Sequence, residues 1–170
     1  MRDPHIDPYA DRIPLGYLIT FRAYGTWLHG DARESVDRFH NYYGTPRIPP
    51  DALRHRYNER MMKLEPVKLN RIRRTAIENA INETCELRNW RLHAANVRTN
   101  HVHVVVSGPC HPEVILRALK ANATRKMREK GCWNSTQTPW AEKGSKRWLW
   151  TSNQLEAAID YVVNGQGAPL

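Results

Sequence analysis

Two strand-like runs, Trp90 to Val97 and His101 to Ser107, are separated by only Arg98, Thr99 and Asn100, and so short a polar connection makes them a hairpin. Everything else in the chain has to be arranged around that pair. Upstream, from Pro66 to about Leu87, Val67, Leu69, Ile72, Ala76, Ile77, Ala80 and Ile81 recur at helical spacing, with Arg71, Arg73 and Arg74 mostly between them. This predicts one amphipathic helix with a basic outer face. Downstream, Pro112 to about Lys130 carries Val114, Ile115, Ala118, Leu119 and Met127 on one side and Lys120, Arg125, Lys126 and Arg128 as basic punctuation, a second helix stopped at Gly131.

The outer elements are read in the same way. Tyr17 to Trp27 is rich in β-branched and aromatic residues and is interrupted only by Gly25, so it is the expected first strand. Residues 132–145 are turn-rich, Lys146 to Thr151 is a short aromatic strand, and Ser152 or Asn153 is the expected N-cap of a last helix with the stripe Leu155, Ala158, Ile159, Val162 and Val163. From Leu28 to Pro66 the residues are charged and polar around Pro46, Pro49 and Pro50, which suits a long connection with one short helix from Asp51 onward. The order of elements is the split β-α-β pattern, so the expected class is α+β: a ferredoxin-like sandwich with an antiparallel sheet of about four strands, helices on one face, and a C-terminal helix that bears Tyr161. At 170 residues and 19.8 kDa, a single domain over 1–170 is expected.

Lys and Arg number 26 against 17 Asp and Glu, a formal net charge of +9, which favours polyanions and makes nucleic acid the first partner to consider. A merely basic protein is the bland alternative. Cys85, Cys110 and Cys132 form no C-x-x-C pair and are expected to be reduced thiols. With a polar, proline-containing start and no run of membrane-span length, the expected location is the cytoplasm, of bacterial type and associated with the nucleoid.

His101 and His103 flank Val102 on a strand, so both imidazoles project to one side and can share a divalent ion. Eight histidines in 170 residues would produce about 0.4 such triplets by chance, so the triplet alone is better read as a pair of half-buried structural histidines. Tyr161 adds weight because it falls outside the apolar stripe of the last helix, where a core tyrosine would not stand. Taken alone it is better read as a surface aromatic or one packed on the Trp148–Trp150 strand. A phenol with a pKa of about 10 is a poor nucleophile until a metal polarises the phosphate it attacks or a base takes its proton, so the two features make sense together.

Asn100-His101-Val102-His103 ahead of an apolar strand, followed by a late helix with Asp160-Tyr161-Val162-Val163, resembles the HUH single-tyrosine transposases. More narrowly, it resembles the REP-associated tyrosine transposases and their insertion-sequence relatives, over roughly residues 14–28 and 66–167. The resemblance implies metal-dependent cleavage and rejoining of single-stranded DNA, at or near hairpins. Tyr161 would form a covalent 5′-phosphotyrosine, and His101 and His103 would hold Mg²⁺ or Mn²⁺. The family's third ligand, one helical turn after the tyrosine, corresponds to Gly165 here. Gln166, or alternatively Asn164, would take that role, with Gln166 preferred.

Arg71, Arg74, Lys120, Arg125 and Lys126 are the expected DNA-binding residues, with a solvated helix surface as the plain alternative. Residues 28–66 suit either hairpin recognition or a structural wrap. Relatives act as homodimers or as monomers, and the sequence leaves that choice open. A catalytically inactive or domesticated binding module for single-stranded DNA or RNA, with the same fold, is the competing reading; a hydrolase using water in place of tyrosine is a third.

Overall fold

The computed structural model describes residues 13–32, 48–63 and 65–167. In chain order it contains β1 (Gly16–Ala23), α1 (Ala52–Arg60), α2 (Arg71–Leu87), β2 (Arg91–Val97), β3 (His101–Ser107), α3 (Pro112–Glu129), β4 (Trp140–Leu149) and α4 (Ser152–Asn164). The polar start at residues 1–12, most of the expected long connection at 33–47, and residues 64 and 168–170 lie outside the described residues.

The hairpin forms as expected and pairs further into one antiparallel sheet of order β2-β3-β1-β4. With its helical crossovers, that order is the ferredoxin-like α+β arrangement. The alternation of β3 assigns its two faces. Val102, Val104 and Val106 join Ile19, Phe21 and the apolar sides of α2 and α3 in the larger core, where Ile77, Ile81, Ile115, Leu119 and Met127 are fully buried. Val105 points the other way, into a smaller cluster with Ala94, Leu149, Ala158 and Val162, and this cluster seats α4. Two long helices thus cover one face and the tyrosine-bearing helix lies on the other. Among the described residues, no helix is long and apolar enough to cross a membrane.

Several boundaries differ from the sequence expectation, each for a local reason. The first helix begins at Arg71, not Pro66: Val67 and Leu69 are buried from an extended segment whose amides donate to the carbonyls of Tyr24 and Thr99, and Asn70 caps the helix through Arg73 N. Their spacing imitated a helical stripe. β1 ends at Ala23 because its register with β4 shifts after Phe21 and the chain turns at Gly25, which has φ +72°. β4 starts at Trp140, six residues before the expected strand. It is an edge strand with polar residues from Glu142 to Arg147, so only its ends are markedly apolar. The last helix is capped by Thr151, whose hydroxyl accepts from Gln154 N, and not by Ser152 or Asn153. Val163, placed in its apolar stripe, is exposed. The short helix from Asp51 does form, with Asp51 accepting from Leu53 N and Arg54 N.

Candidate active site

The alternation that sends Val102 into the larger core sends His101 and His103 to the α4 face, at the start of a central strand. Each ring is oriented through its Nδ1. That of His101 lies 2.6 Å from Asn100 Oδ1, which only accepts, so His101 donates there and keeps the lone pair on Nε2. That of His103 lies 2.7 Å from Thr20 Oγ1, its cross-strand neighbour on β1, which can accept in the same way. The two ring centroids are 4.7 Å apart.

Burial keeps both rings neutral at pH 7. It lowers the His101 pKa below the usual histidine value, with the charges of Arg22 and Arg98 adding to the effect. His103, 6% exposed, is pushed down to about 4, chiefly by burial and then by His101 and Arg22. Neutral imidazoles with oriented Nε2 lone pairs are what a divalent ion requires.

Tyr161 is 46% exposed and sets its ring edge-on to His103, with centroids 5.4 Å apart. The helix places it there because Ala158 and Val162 are fastened into the smaller apolar cluster. The last turn is also tied to the sheet: Asn96 on β2, in register with His103, donates from Nδ2 to Val162 O at 2.9 Å. That carbonyl is among the last four of the helix, which lack a partner within it.

The helix stops at Asn164, and the residue after it, where the resemblance would put a ligand, is Gly165. A Cβ on Gly165 would lie 2.7 Å from the Tyr161 carbonyl oxygen and 3.0 Å from its ring Cδ2, so the tyrosine itself occupies the space a side chain would need. Gln166 then folds back. Its Nε2 donates to Tyr161 O at 3.1 Å, and its side chain lies within hydrogen-bond reach of both imidazoles, favouring their protonated forms as a carbonyl acceptor does. Asn164 instead donates to Asp160 Oδ1 at 2.7 Å on the exposed side of the helix. His101, His103, Tyr161 and Gln166 are therefore brought together within one chain, and Asn164 is not.

Among the described residues, no three His, Cys, Asp or Glu side chains gather as a metal-binding group, so a third protein donor beside the imidazoles has to be of another type. The Gln166 amide oxygen would be of that type. Two neutral nitrogens and one amide oxygen fit a divalent ion that retains water and phosphate oxygens.

The basic residues singled out from sequence lie elsewhere. α2 and α3 pack on the opposite face of the sheet from the imidazoles. Lys120 is half-buried and donates to the carbonyls of Ala141, Glu142 and Lys143 at 2.8, 3.2 and 3.2 Å. Arg125 pairs with Glu83 at 2.5 Å and with Glu129, and Lys126 pairs with Glu83 at 2.8 Å. Arg74 donates to Leu69 O, while Arg71 is exposed at the start of α2.

The charges close to the imidazoles are Arg22 and Arg98, which sequence reasoning missed along with Thr20 and Asn96. The signal was present in β1. Leu18, Thr20 and Arg22 alternate with the core residues Tyr17, Ile19 and Phe21, so once β1 pairs with β3 Thr20 and Arg22 must share a face with the histidines.

The family model described as "Transposase IS200 like" matches residues 62–154. None of the curated proteins matches. Among solved structures, the REP-associated tyrosine transposase bound to a REP hairpin has 13% identity and a TM-score of 0.47, over 95% of this chain and 70% of that one. A protein of Deinococcus radiodurans R1 described as a transposase has 14% identity and a TM-score of 0.47, over 99% of this chain and 98% of that one.

Proposed function

From its place among the IS200-like transposases, the family to which this chain belongs, we infer that it cuts and rejoins single-stranded DNA, at or near hairpins, through a covalent bond to Tyr161. The observation that carries this reading is the approach of the Tyr161 ring to His103 within one chain, with Gln166 reaching both imidazoles. His101, His103 and Gln166 would hold Mg²⁺ or Mn²⁺. Bound there, the ion would polarise the phosphate under attack.

The residues themselves do the rest. Asn100 and Thr20 fix the orientation of the imidazoles, and Asn96 and the Val162 contacts hold α4 against the sheet. The phenol oxygen of Tyr161 attacks phosphorus as its O–H bond breaks. The P–O3′ bond breaks in the same displacement, and the leaving 3′ oxygen takes a proton from solvent in place of the one the phenol releases. The products are a 5′-phosphotyrosine and a free 3′-hydroxyl. Attack by a 3′-hydroxyl on that linkage reverses the step and rejoins DNA without a nucleotide cofactor.

The test is a denaturing gel of protein incubated with end-labelled single strands and Mn²⁺. The wild-type chain is expected to carry label into a covalent protein band, and Tyr161→Phe to lose the band while keeping most DNA binding. Label on the Phe variant would mean that another nucleophile acts. Cleavage without a protein band would identify water as the nucleophile, and salt-sensitive binding without cleavage would leave a passive binder.

A further inference from the structure

Negative charge accumulates on the non-bridging phosphate oxygens as one oxygen attacks and another departs. Beside an ion held by the imidazoles, a fixed cation of the chain itself can share in stabilising that charge. The basic residues of α2 and α3 lie across the sheet, whereas Arg22 and Arg98 stand on the site's side, close enough to act on His101. Of these, Arg22 acts on both rings.

Its position follows from strand register. Arg22 is the direct partner of His101 across the β1–β3 pairing, two residues beyond Thr20, the partner of His103. Arg22, Thr20, His101 and His103 therefore form one polar quadrilateral on one face of two central strands. A strand is a stiffer support than a loop for a group that must meet a transition state.

The guanidinium is also oriented. Its carbon lies 3.8 Å from the centroid of the Trp27 ring, a cation–π contact that fixes the plane of the fork. Trp27 belongs to a turn keyed to the hairpin tip. Thr26 Oγ1 lies 2.8 Å from Ala23 O and 3.3 Å from Asn100 O, and Ala23 N donates to Asn100 O at 2.9 Å. Asn100 is the residue that orients His101. One short set of hydrogen bonds thus aligns the arginine's aromatic platform with the imidazole pair.

We infer that Arg22 is a catalytic residue whose guanidinium, laid on Trp27, binds a non-bridging oxygen of the scissile phosphate and stabilises the charge that develops as Tyr161 attacks. The assignment rests on the phosphotyrosine reading. Arg22 exchanges no proton and forms no bond; it remains a cation throughout, and its planar fork suits a phosphate better than a lysine ammonium does.

The test compares the rate of covalent adduct formation on two oligonucleotides, one natural and one with an uncharged methylphosphonate at the cleavage position. On the natural strand, Arg22→Ala is expected to slow adduct formation about a hundredfold and Arg22→Lys about tenfold, with strand affinity falling less than about fivefold. On the methylphosphonate the three proteins are expected to react at similar rates, because the oxygen charge that Arg22 serves is gone. Arg22→Lys, which keeps stem and charge, guards against a folding defect in the alanine variant. Rates within twofold of wild type on the natural strand would overturn the assignment, as would an equal loss on both strands. A wild-type chain that forms no adduct at all would overturn the phosphotyrosine reading and Arg22's role with it; an active wild type beside unaffected variants would remove only Arg22's role.

Discussion

Under the proposed function, Gln166 would take over a role from the neighbouring position 165. With Gly165 pressed against Tyr161, the chain reaches back from one residue further on and ties the amide nitrogen to the tyrosine's own carbonyl. Gln166→Ala is therefore expected to weaken Mn²⁺ binding by about tenfold or more. Asn164→Ala, which removes only the bond to Asp160, should leave it within about twofold, as measured by calorimetric titration of the metal alone. Equal effects of the two substitutions would count against Gln166 as a ligand. The imidazole spacing and Tyr161's place off the apolar stripe were legible from residue types alone. The partners Thr20, Arg22 and Asn96 were not, because a residue becomes a neighbour across a sheet only when the register is known, and a shift of one position would send each to the opposite face.

At the scale of elements, α2 and α3 are clasped to each other by a polar knot. Asn122 Nδ2 lies within hydrogen-bond distance of Ala80 O, Glu83 Oε2 and Thr84 Oγ1, and its Oδ1 accepts from Arg125 Nε. The Glu83 carboxyl is held below the ordinary range, first by its hydrogen bond to Lys126 and next by that to Asn122. Because folding lowers this pKa, the stabilisation it brings is present above the unfolded value of about 4.3 and disappears as pH falls through the lower folded value. Thermal melting of Glu83→Gln is expected to fall below wild type at pH 7, with the two curves converging as the pH drops below about 4. A gap that stays constant down to pH 3 would mean that the carboxylate's charge contributes nothing. The helices themselves were readable because each buries one long stripe. The start of β4 was not, since an edge strand with a polar middle lacks the apolar alternation that marks a half-buried strand, and Val67 and Leu69 mimicked a helix while buried from extended chain.

For the whole molecule, the important fact is that Tyr161, both imidazoles and the Gln166 amide lie together within a single chain. Mixing a Tyr161→Phe chain with a His103→Ala chain is accordingly expected to give no covalent adduct, and the wild-type rate per molecule should not rise with protein concentration. Recovery of adduct in the mixture would show that α4 serves a partner's site. The fold class and element order could be read from the sequence because periodicity and short connections constrain them. The division of labour between the two faces could not, since both faces carry basic residues and only pairing shows which of them stand beside the histidines. That division has a mechanical corollary. The sheet is braced by α2 and α3 through the larger core, whereas α4 is moored by the small cluster around Val105 and Val162 and by one amide from Asn96. Peeling α4 away exposes few apolar side chains and leaves the braced half standing. If Tyr161 joins DNA as proposed, the helix that carries it is the element best able to swing with its cargo, in the manner of a crane jib on a fixed mast.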